Sequence, residues 1–158
     1  TRSIIPLDWD QMHNLNGSVT TAHKGWGLNT IFQYGSGYPY TPVITNYEQQ
    51  GEVLSNVLLR NSRRKSSTFR MDLKFFKNIR IGSFNGRAYI NVYNLTDRRN
   101  QNFVYADSGR SDETIEKTRA EIISPFEPLR PNTIDQFFNR PEWYDEPREI
   151  QLGLQFSW

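Results

Sequence analysis

Large apolar side chains recur at every second position in several segments of the chain, and the pattern is strongest in the last of them, at about 149–158. Successive side chains of a β-strand point to opposite faces, so this segment is predicted to be a strand with one apolar and one polar face. Its apolar positions are Ile150, Leu152, Leu154, Phe156 and Trp158. The same period of two predicts four earlier strands, at about 13–21, 26–34, 68–81 and 87–93.

The segment 68–81 alternates most clearly, with apolar residues from Phe69 to Phe75 opposite charged ones. The alternation slips at Phe75-Phe76-Lys77, which either a β-bulge or a strand end would produce. A compact turn is expected at 82–86, because Asn85-Gly86 is a strong hairpin signal. Another short turn is expected at 23–25, so the pattern predicts an all-β antiparallel meander of about five long strands.

Two long connections, at about 35–67 and 94–147, alternate with the two short turns. Helical spacing predicts a short helix within 112–123 and one helical turn at 134–138. Antiparallel strands place both short turns at one end of the sheet and both long connections at the other. This sorting is typical of outer-membrane barrels, whose tilted strands need about 9–11 residues.

Composition is compatible with membrane strands without requiring them. The 158 residues are 36% hydrophobic and 14% aromatic, with a mean hydropathy of −0.72. These values do not exclude membrane-spanning strands, because only alternate residues of such strands would face lipid. The absence of cysteine excludes disulfides, thiolate metal sites and thiol catalysis. Residues 97–149 carry 12 acidic and 8 basic side chains, which we interpret first as a solvated mixed-charge loop.

Four stretches together resemble the carboxy-terminal barrel of TonB-dependent outer-membrane receptors, particularly the forms common in Bacteroidetes-like bacteria. They are 7–13 (LDWDQMH), 33–42 (QYGSGYPYTP), 91–98 (NVYNLTDR) and the terminal strand. The resemblance implies that the strands are the last five of a 22-stranded transmembrane β-barrel around a plug. It implies a transporter for a large or scarce nutrient, such as an iron chelate, a glycan or a peptide.

The resemblance also implies roles for particular residues. Glu149 would lie near the extracellular rim and Trp158 at the periplasmic interface. The strand signal read by the assembly machinery would comprise Ile150, Leu152, Leu154, Phe156 and Trp158. Lumen-facing candidates are Arg70, Asp72, Lys74, Tyr89, Asn91, Tyr93 and Gln151. Interfacial aromatic candidates are Trp9, Trp26, Tyr34 and Trp158.

Five strands cannot close a barrel, since bacterial barrels begin at eight. The remaining strands and the plug are therefore expected from upstream residues or from a second polypeptide. Further expected partners are outer-membrane lipid, lipopolysaccharide and, through the plug, the TonB complex, but no nucleic acid. The expected location is the outer membrane of a Gram-negative-type bacterium, and no cofactor or enzyme activity is expected.

Three other groups of residues could be mistaken for metal or catalytic sites, but for each of them another interpretation is favoured. His13 and His23 lack the spacing of a metal site. Asp8-Trp9-Asp10 is interpreted as a turn with an interfacial tryptophan rather than as paired catalytic carboxylates. Residues 107–112 (DSGRSD) have the ingredients of a calcium loop without its spacing, so a polar turn is favoured.

Two surface motifs leave alternatives open. Arg63-Arg64-Lys65 would either contact lipopolysaccharide phosphates or simply be solvated, and solvation is favoured. Asn94-Leu95-Thr96 matches a glycosylation sequon, which requires a eukaryotic secretory context.

The alternative function is that of a soluble antiparallel β binding module. Its loops at Gly35 to Pro42 and Tyr105 to Tyr144 would bind a glycan or a peptide. In such a module the apolar side chains must meet one another across a core.

Overall fold

A computed structural model describes residues 4–43, 60–123 and 133–157. The described part is mostly antiparallel β, with 44% of its residues in strands and 13% in helices. The strands are Asn14–His23 (β1), Trp26–Gly35 (β2), Pro39–Tyr40 (β3), Arg63–Arg64 (β4), Thr68–Ile81 (β5), Phe84–Tyr93 (β6) and Glu149–Ser157 (β7). The helices are Ile115–Ile123 (α1) and Ile134–Phe138 (α2), followed by a 3₁₀ turn at Pro141–Trp143.

The five long strands form one antiparallel sheet in the order β1-β2-β5-β6-β7, which confirms the predicted meander. The strands β3 and β4 pair separately, a contact that the alternation pattern did not predict. The five-stranded sheet is open, with β1 and β7 as its edges. Both long connections, from β2 to β5 and from β6 to β7, leave and re-enter the sheet at the same end.

The short turns depend on residues with positive φ. Lys24 and Gly25 (φ 40° and 83°) connect β1 to β2, and Gly82 (φ 60°) lies between β5 and β6. The compact turn expected at 82–86 is present only at Gly82 and Ser83, because Asn85 and Gly86 lie within β6 and pair with Arg80 and Ile79. The strand therefore begins at Phe84, three residues earlier than the pattern predicted.

The slip in alternation at Phe75-Phe76-Lys77 is not a bulge. In the pairing of β5 with both neighbours, consecutive residues match consecutive residues through this stretch. Phe76 is therefore an aromatic residue on the polar face, directly opposite Gly27. A Cβ on Gly27 would lie 2.4 Å from the Phe76 ring, so the glycine leaves the space that the ring occupies.

The register sorts the side chains of all five strands onto two faces. The described side chains of the apolar face are Leu15, Gly17, Val19, Thr21, His23, Trp26, Leu28, Thr30, Phe32, Tyr34, Phe69, Met71, Leu73, Phe75, Lys77, Ile79, Gly86, Ala88, Ile90, Val92, Ile150, Leu152, Leu154 and Phe156. The opposite face, called the polar face below, carries most of the charged and amide side chains. The sequence therefore gives the sheet a consistent amphipathic character over its whole width.

The chain divides into two compact units. The sheet unit comprises residues 13–35, 68–99 and 146–158, and the loop unit comprises residues 1–12, 36–67 and 100–145. In the sheet unit, the connection after β6 is held to the segment before β7 by Asn94, whose Nδ2 donates to the Glu146 carbonyl at 3.0 Å. The backbone N–H of Arg148 donates to Asp97 at 2.9 Å.

Candidate functional site

The apolar face of the sheet unit is its most unusual surface, because many of its large side chains are exposed and most of the others are only half-buried. Leu152 and Leu154 expose 78% and 66% of their area. Among the described residues, Val92 at 7% is the single buried hydrophobic residue of the chain. The further exposed members of this face are Leu15, Val19, Tyr34, Phe75, Ile79, Ile150 and Phe156. Soluble monomers rarely expose an extended apolar surface of this kind, which is typical of a contact surface for another protein, a membrane or a ligand.

The lumen-facing candidates do share one face. Asn91 pairs with both Lys74 and Gln151 across three adjacent strands, and Tyr93 and Tyr89 lie two positions to either side of Asn91. Arg70 and Asp72 are on the same face in β5 and form an ion pair at 3.1 Å. The register thus brings all seven predicted residues together on the polar face, although they come from separate segments.

The Arg70–Asp72 ion pair also contacts the chain at the end of β6. The Asp72 carboxylate accepts a hydrogen bond from the backbone N–H of Asn94 at 2.9 Å. Asn94 has a positive φ of 49° and is buried, so its side chain is engaged within the sheet unit. A glycan on Asn94 would displace these hydrogen bonds and would have no space in this fold, so the structure does not favour Asn94 as a glycosylation site.

Three of the predicted interfacial aromatic residues are described. Trp26 and Tyr34 occupy the two ends of β2 on the apolar face, about 26 Å apart at the rise of a strand. Trp26 packs against Phe75 with ring centroids 6.4 Å apart. Trp9 belongs to the loop unit and is 72% exposed. The fourth, Trp158, lies outside the described residues.

Four of the five residues of the predicted assembly signal lie in β7. Ile150, Leu152, Leu154 and Phe156 are all on the apolar face, opposite Val92, Ile90, Ala88 and Gly86 of β6. Because β7 is an edge strand, its other side has no partner strand in the described sheet. Trp158 lies outside the described residues, so its position in the signal stays a prediction.

The loop unit contains an aromatic cleft of about 580 Å³. Its lining includes the exposed rings of Trp9, Tyr38 and Phe103 together with the polar side chains of Asn61 and Lys65. Burial lowers the pKa of Lys65 below its usual range, and its Nζ donates to the Asn102 carbonyl at 2.6 Å. Apolar rings with a few oriented polar groups are typical of small-molecule and peptide sites.

Asn61 organises one wall of this cleft. It is 6% exposed and has a φ of 53°. Its Nδ2 donates to the Pro6 carbonyl at 2.8 Å and to the Asp8 carboxylate at 2.6 Å, and its N–H donates to Thr41 at 3.1 Å. The expected turn around Asp8-Trp9-Asp10 is present, closed by the Asp10 N–H and the Leu7 carbonyl at 2.9 Å.

The solvated interpretation of Arg63-Arg64-Lys65 is wrong for two of the three residues. Arg64 forms an ion pair with Asp10 and donates to the Gly37 carbonyl at 3.2 Å. Lys65 is held by the Asn102 carbonyl and lies 5.8 Å from the Phe103 ring. Both cations therefore join segments of the loop unit, while Arg63 remains exposed.

The acidic residues of the 107–112 segment serve the local fold. Asp107 accepts hydrogen bonds from Thr114 Oγ1 at 2.7 Å and from the Ile115 N–H at 2.6 Å, at the start of α1. Asp112 pairs with Arg110 at 2.8 Å. Ser111 is fully buried and donates to the Phe103 carbonyl at 2.5 Å. The segment is thus a polar turn whose carboxylates are engaged with neighbouring residues.

His23 is the last residue of β1 and His13 immediately precedes its first residue, so the two histidines are about 33 Å apart at the rise of a strand. Within 4–43, 60–123 and 133–157, no group of three or more His, Asp or Glu residues is arranged to hold a metal ion. No helix in that part of the chain is long and apolar enough to cross a membrane.

Several organising residues were missed by the sequence reasoning, namely Asn61, Asn100, Ser111 and Thr114, all of them buried polar side chains. Their segments carry no periodicity, and short polar residues are as common in exposed loops. Positive φ at Asn61 gives one physical reason for its residue type, because asparagine tolerates the left-handed conformation. Comparison with protein-family models, with curated proteins and with solved structures finds no match for this chain.

Proposed function

We propose that the sheet unit is a section of the wall of an outer-membrane transporter of the TonB-dependent receptor class. Its apolar face contacts lipid, its polar face lines the lumen, and its long connections lie on the extracellular side. The observation that carries the proposal is the apolar face, which extends across all five strands and has exposed large side chains on β1, β2, β5 and β7. The transported substrate belongs to the class of large or scarce nutrients, such as iron chelates, glycans or peptides.

The dimensions of the sheet support this proposal. Each long strand has 9 to 14 residues. Ten residues at about 3.3 Å each, tilted by about 45°, rise roughly 23 Å, close to the apolar band of an outer-membrane barrel at about 25 Å. Aromatic residues at both ends of β2, Trp26 and Tyr34, correspond to the two interfacial girdles of such a barrel.

The open edges define the partners in the proposal. An unpaired strand edge in hydrocarbon costs several kcal/mol for each unsatisfied backbone group. We therefore propose that further strands pair with β1 and with β7 to complete a 22-stranded barrel around a plug. The plug would link the wall to the TonB complex, and the surrounding partners would be lipid and lipopolysaccharide.

The loop unit suits the task of meeting substrate. Its aromatic cleft offers the exposed rings of Trp9, Tyr38 and Phe103, with Lys65 in the lining and Asn61 holding one wall in place. A soluble binding module could use the same cleft. It would, however, need its apolar residues to pack across a core, and the four described apolar residues of β7 each expose more than half of their area.

Detergent dependence tests the proposed location. The chain is expected to sediment with membranes, to resist extraction by carbonate and to enter solution only with detergent. The substitution Gln151→Ser changes only the polar face, so this variant is expected to show the same detergent dependence as the unmodified chain. A monodisperse monomer in buffer without detergent would contradict the proposal and favour the soluble module.

A further inference from the structure

A basic cavity lies on the polar face near the short turns of the sheet unit. It has a volume of about 470 Å³ and is lined by Asn78, Ile79, Arg80, Asn85, Gly86, Arg87 and Gln155. Two guanidinium groups and three side-chain amides thus surround one open space. These residues come from the ends of β5 and β6 that flank the Gly82 turn and from the paired part of β7.

One of the two guanidinium groups is held in position. Arg87 Nε donates to Asn78 Oδ1 at 2.8 Å, and the guanidinium carbon lies 4.5 Å from the centroid of the Phe76 ring. Stacking on the ring and the Nε hydrogen bond fix the plane of the group. The terminal nitrogens of Arg87 form no hydrogen bond or ion pair with the described residues and are therefore available to a ligand.

The second guanidinium is a near neighbour on the next strand. Arg80 pairs with Asn85, which is two residues before Arg87, so the two arginines are diagonal neighbours on one face. Diagonal Cβ atoms in a sheet are about 7–8 Å apart, within reach of long side chains. Two like charges at this separation repel each other unless an anion lies between them.

The cavity has no acidic residue of its own. The acidic side chains of the polar face, Asp72 and Glu149, lie toward the opposite end of the sheet. Asp72 is eight residues from Arg80 along β5, about 26 Å at the rise of a strand, and it already pairs with Arg70. The positive charge of the cavity is therefore not neutralised by the described residues of the sheet.

We propose that this cavity binds an oxyanion, a phosphate or carboxylate group, carried by a solute on the aqueous side of the polar face. Guanidinium groups match the oxygens of such anions with paired N–H donors, and the cavity supplies two of them. The proposal rests on the proposed function only in assigning that aqueous side to the lumen. There, the site would favour anionic solutes at the end of the wall nearest the short turns.

The test is a titration of the full chain in detergent micelles with sodium phosphate and, separately, with sodium citrate at constant ionic strength. Nitrogen-15 NMR of the arginine side chains and the backbone of 78–87 reports binding. Saturable shifts at Arg80 and Arg87 with either anion are expected, and the anion that saturates identifies the group bound.

Substitutions separate this site from general attraction between charges. Arg80→Gln is expected to weaken anion binding by about tenfold, because it removes one charge-assisted contact. Arg80→Lys keeps the charge without the fork and is expected to weaken binding less. Lys74→Gln removes a cation of the same face about 20 Å from Arg80 along β5 and is expected to change the affinity less than twofold.

Two results would overturn the proposal. One is the absence of saturable binding with both anions, and the other is an equal loss of affinity in Lys74→Gln and Arg80→Gln. Membrane insertion is measured independently by detergent dependence, so a failure of the oxyanion site is distinguishable from a failure of the proposed transporter wall. Arg80 is exposed and its replacement is expected to leave the circular dichroism spectrum unchanged.

Discussion

Replacing Leu152 with arginine gives opposite expectations for a lipid-facing and a water-facing surface. Leu152 is near the middle of β7, lies on the apolar face opposite Ile90 and is 78% exposed. On the lipid face near the bilayer midplane, an arginine costs about 2–4 kcal/mol. On a water-facing surface, replacement of a residue this exposed changes stability by about 0.5 kcal/mol or less.

The control for this prediction is the adjacent residue. Gln151 is on the polar face opposite Asn91, so Gln151→Arg introduces the same charge at nearly the same depth on the other side of the sheet. The assay is urea unfolding in phospholipid vesicles, followed by tryptophan fluorescence. Leu152→Arg is expected to lower the free energy of unfolding by about 2–4 kcal/mol relative to Gln151→Arg. Equal stabilities of the two variants, within about 0.5 kcal/mol, would refute the assignment of the apolar face to lipid.

Three further predictions concern close packing, a buried amide and an ion pair. Gly153→Ala places a Cβ 2.1 Å from the Tyr89 ring, so the free energy of unfolding, measured by thermal unfolding, should fall by about 1–3 kcal/mol. Gly86→Ala places a Cβ 3.2 Å from the Phe156 ring and should lower it by less. Asn61→Ala leaves the Pro6 carbonyl and the Asp8 carboxylate without this donor and should lower the free energy of unfolding by about 1–3 kcal/mol. Backbone hydrogen exchange in the chain preceding β1 should become faster, and unchanged exchange would contradict the role of Asn61. The hydrogen bond from Arg110 lowers the pKa of the Asp112 carboxyl in the folded chain. The stability that this pair contributes is therefore complete above the unfolded pKa of about 3.9 and is lost as the pH falls through the lower folded pKa. Arg110→Gln should raise the folded pKa of Asp112 in an NMR titration.

The strands and their faces could be predicted from sequence because one physical signal repeats along each of them. A strand with one apolar and one polar side leaves a period of two, and most of 68–81 and most of 26–35 follow it. The short helices at Ile115–Ile123 and Ile134–Phe138 were predicted for the same reason, since their apolar residues recur at helical spacing.

The exceptions on the sheet come from pairs of residues on neighbouring strands. Phe76 interrupts the alternation of β5, yet it fits the polar face because Gly27 leaves space beneath its ring and Arg87 stacks on it. Asn85-Gly86 resembles a turn, but Gly86 faces Phe156 of β7 within a continuous strand. Local sequence does not contain these cross-strand contacts, so the pattern alone could not predict them.

The loop unit was harder to predict because its order depends on polar contacts between distant segments. Asn61 joins the chain near Pro6, and Arg64 pairs with Asp10, each across more than fifty residues. The charged residues of this unit were interpreted as solvated because charge alone does not indicate a partner. In the pairing of β3 with β4, Arg63 lies opposite Tyr40 and Arg64 lies opposite Pro39. Strands of two residues are too short to show a period in the sequence, so this pairing could not be predicted.

Lipid contact along β7 tests the central claim most directly. The chain has no cysteine, so single cysteines carrying a nitroxide spin label can be placed one at a time at positions 150–156. In lipid vesicles, collisions with oxygen, which concentrates in the bilayer, are compared with collisions with a water-soluble nickel chelate. We expect oxygen to dominate at positions 150, 152, 154 and 156 and the chelate at 151, 153 and 155, with a period of two. Strong chelate collisions at the even positions, or protection of those positions from both reagents, would contradict a lipid-facing apolar sheet.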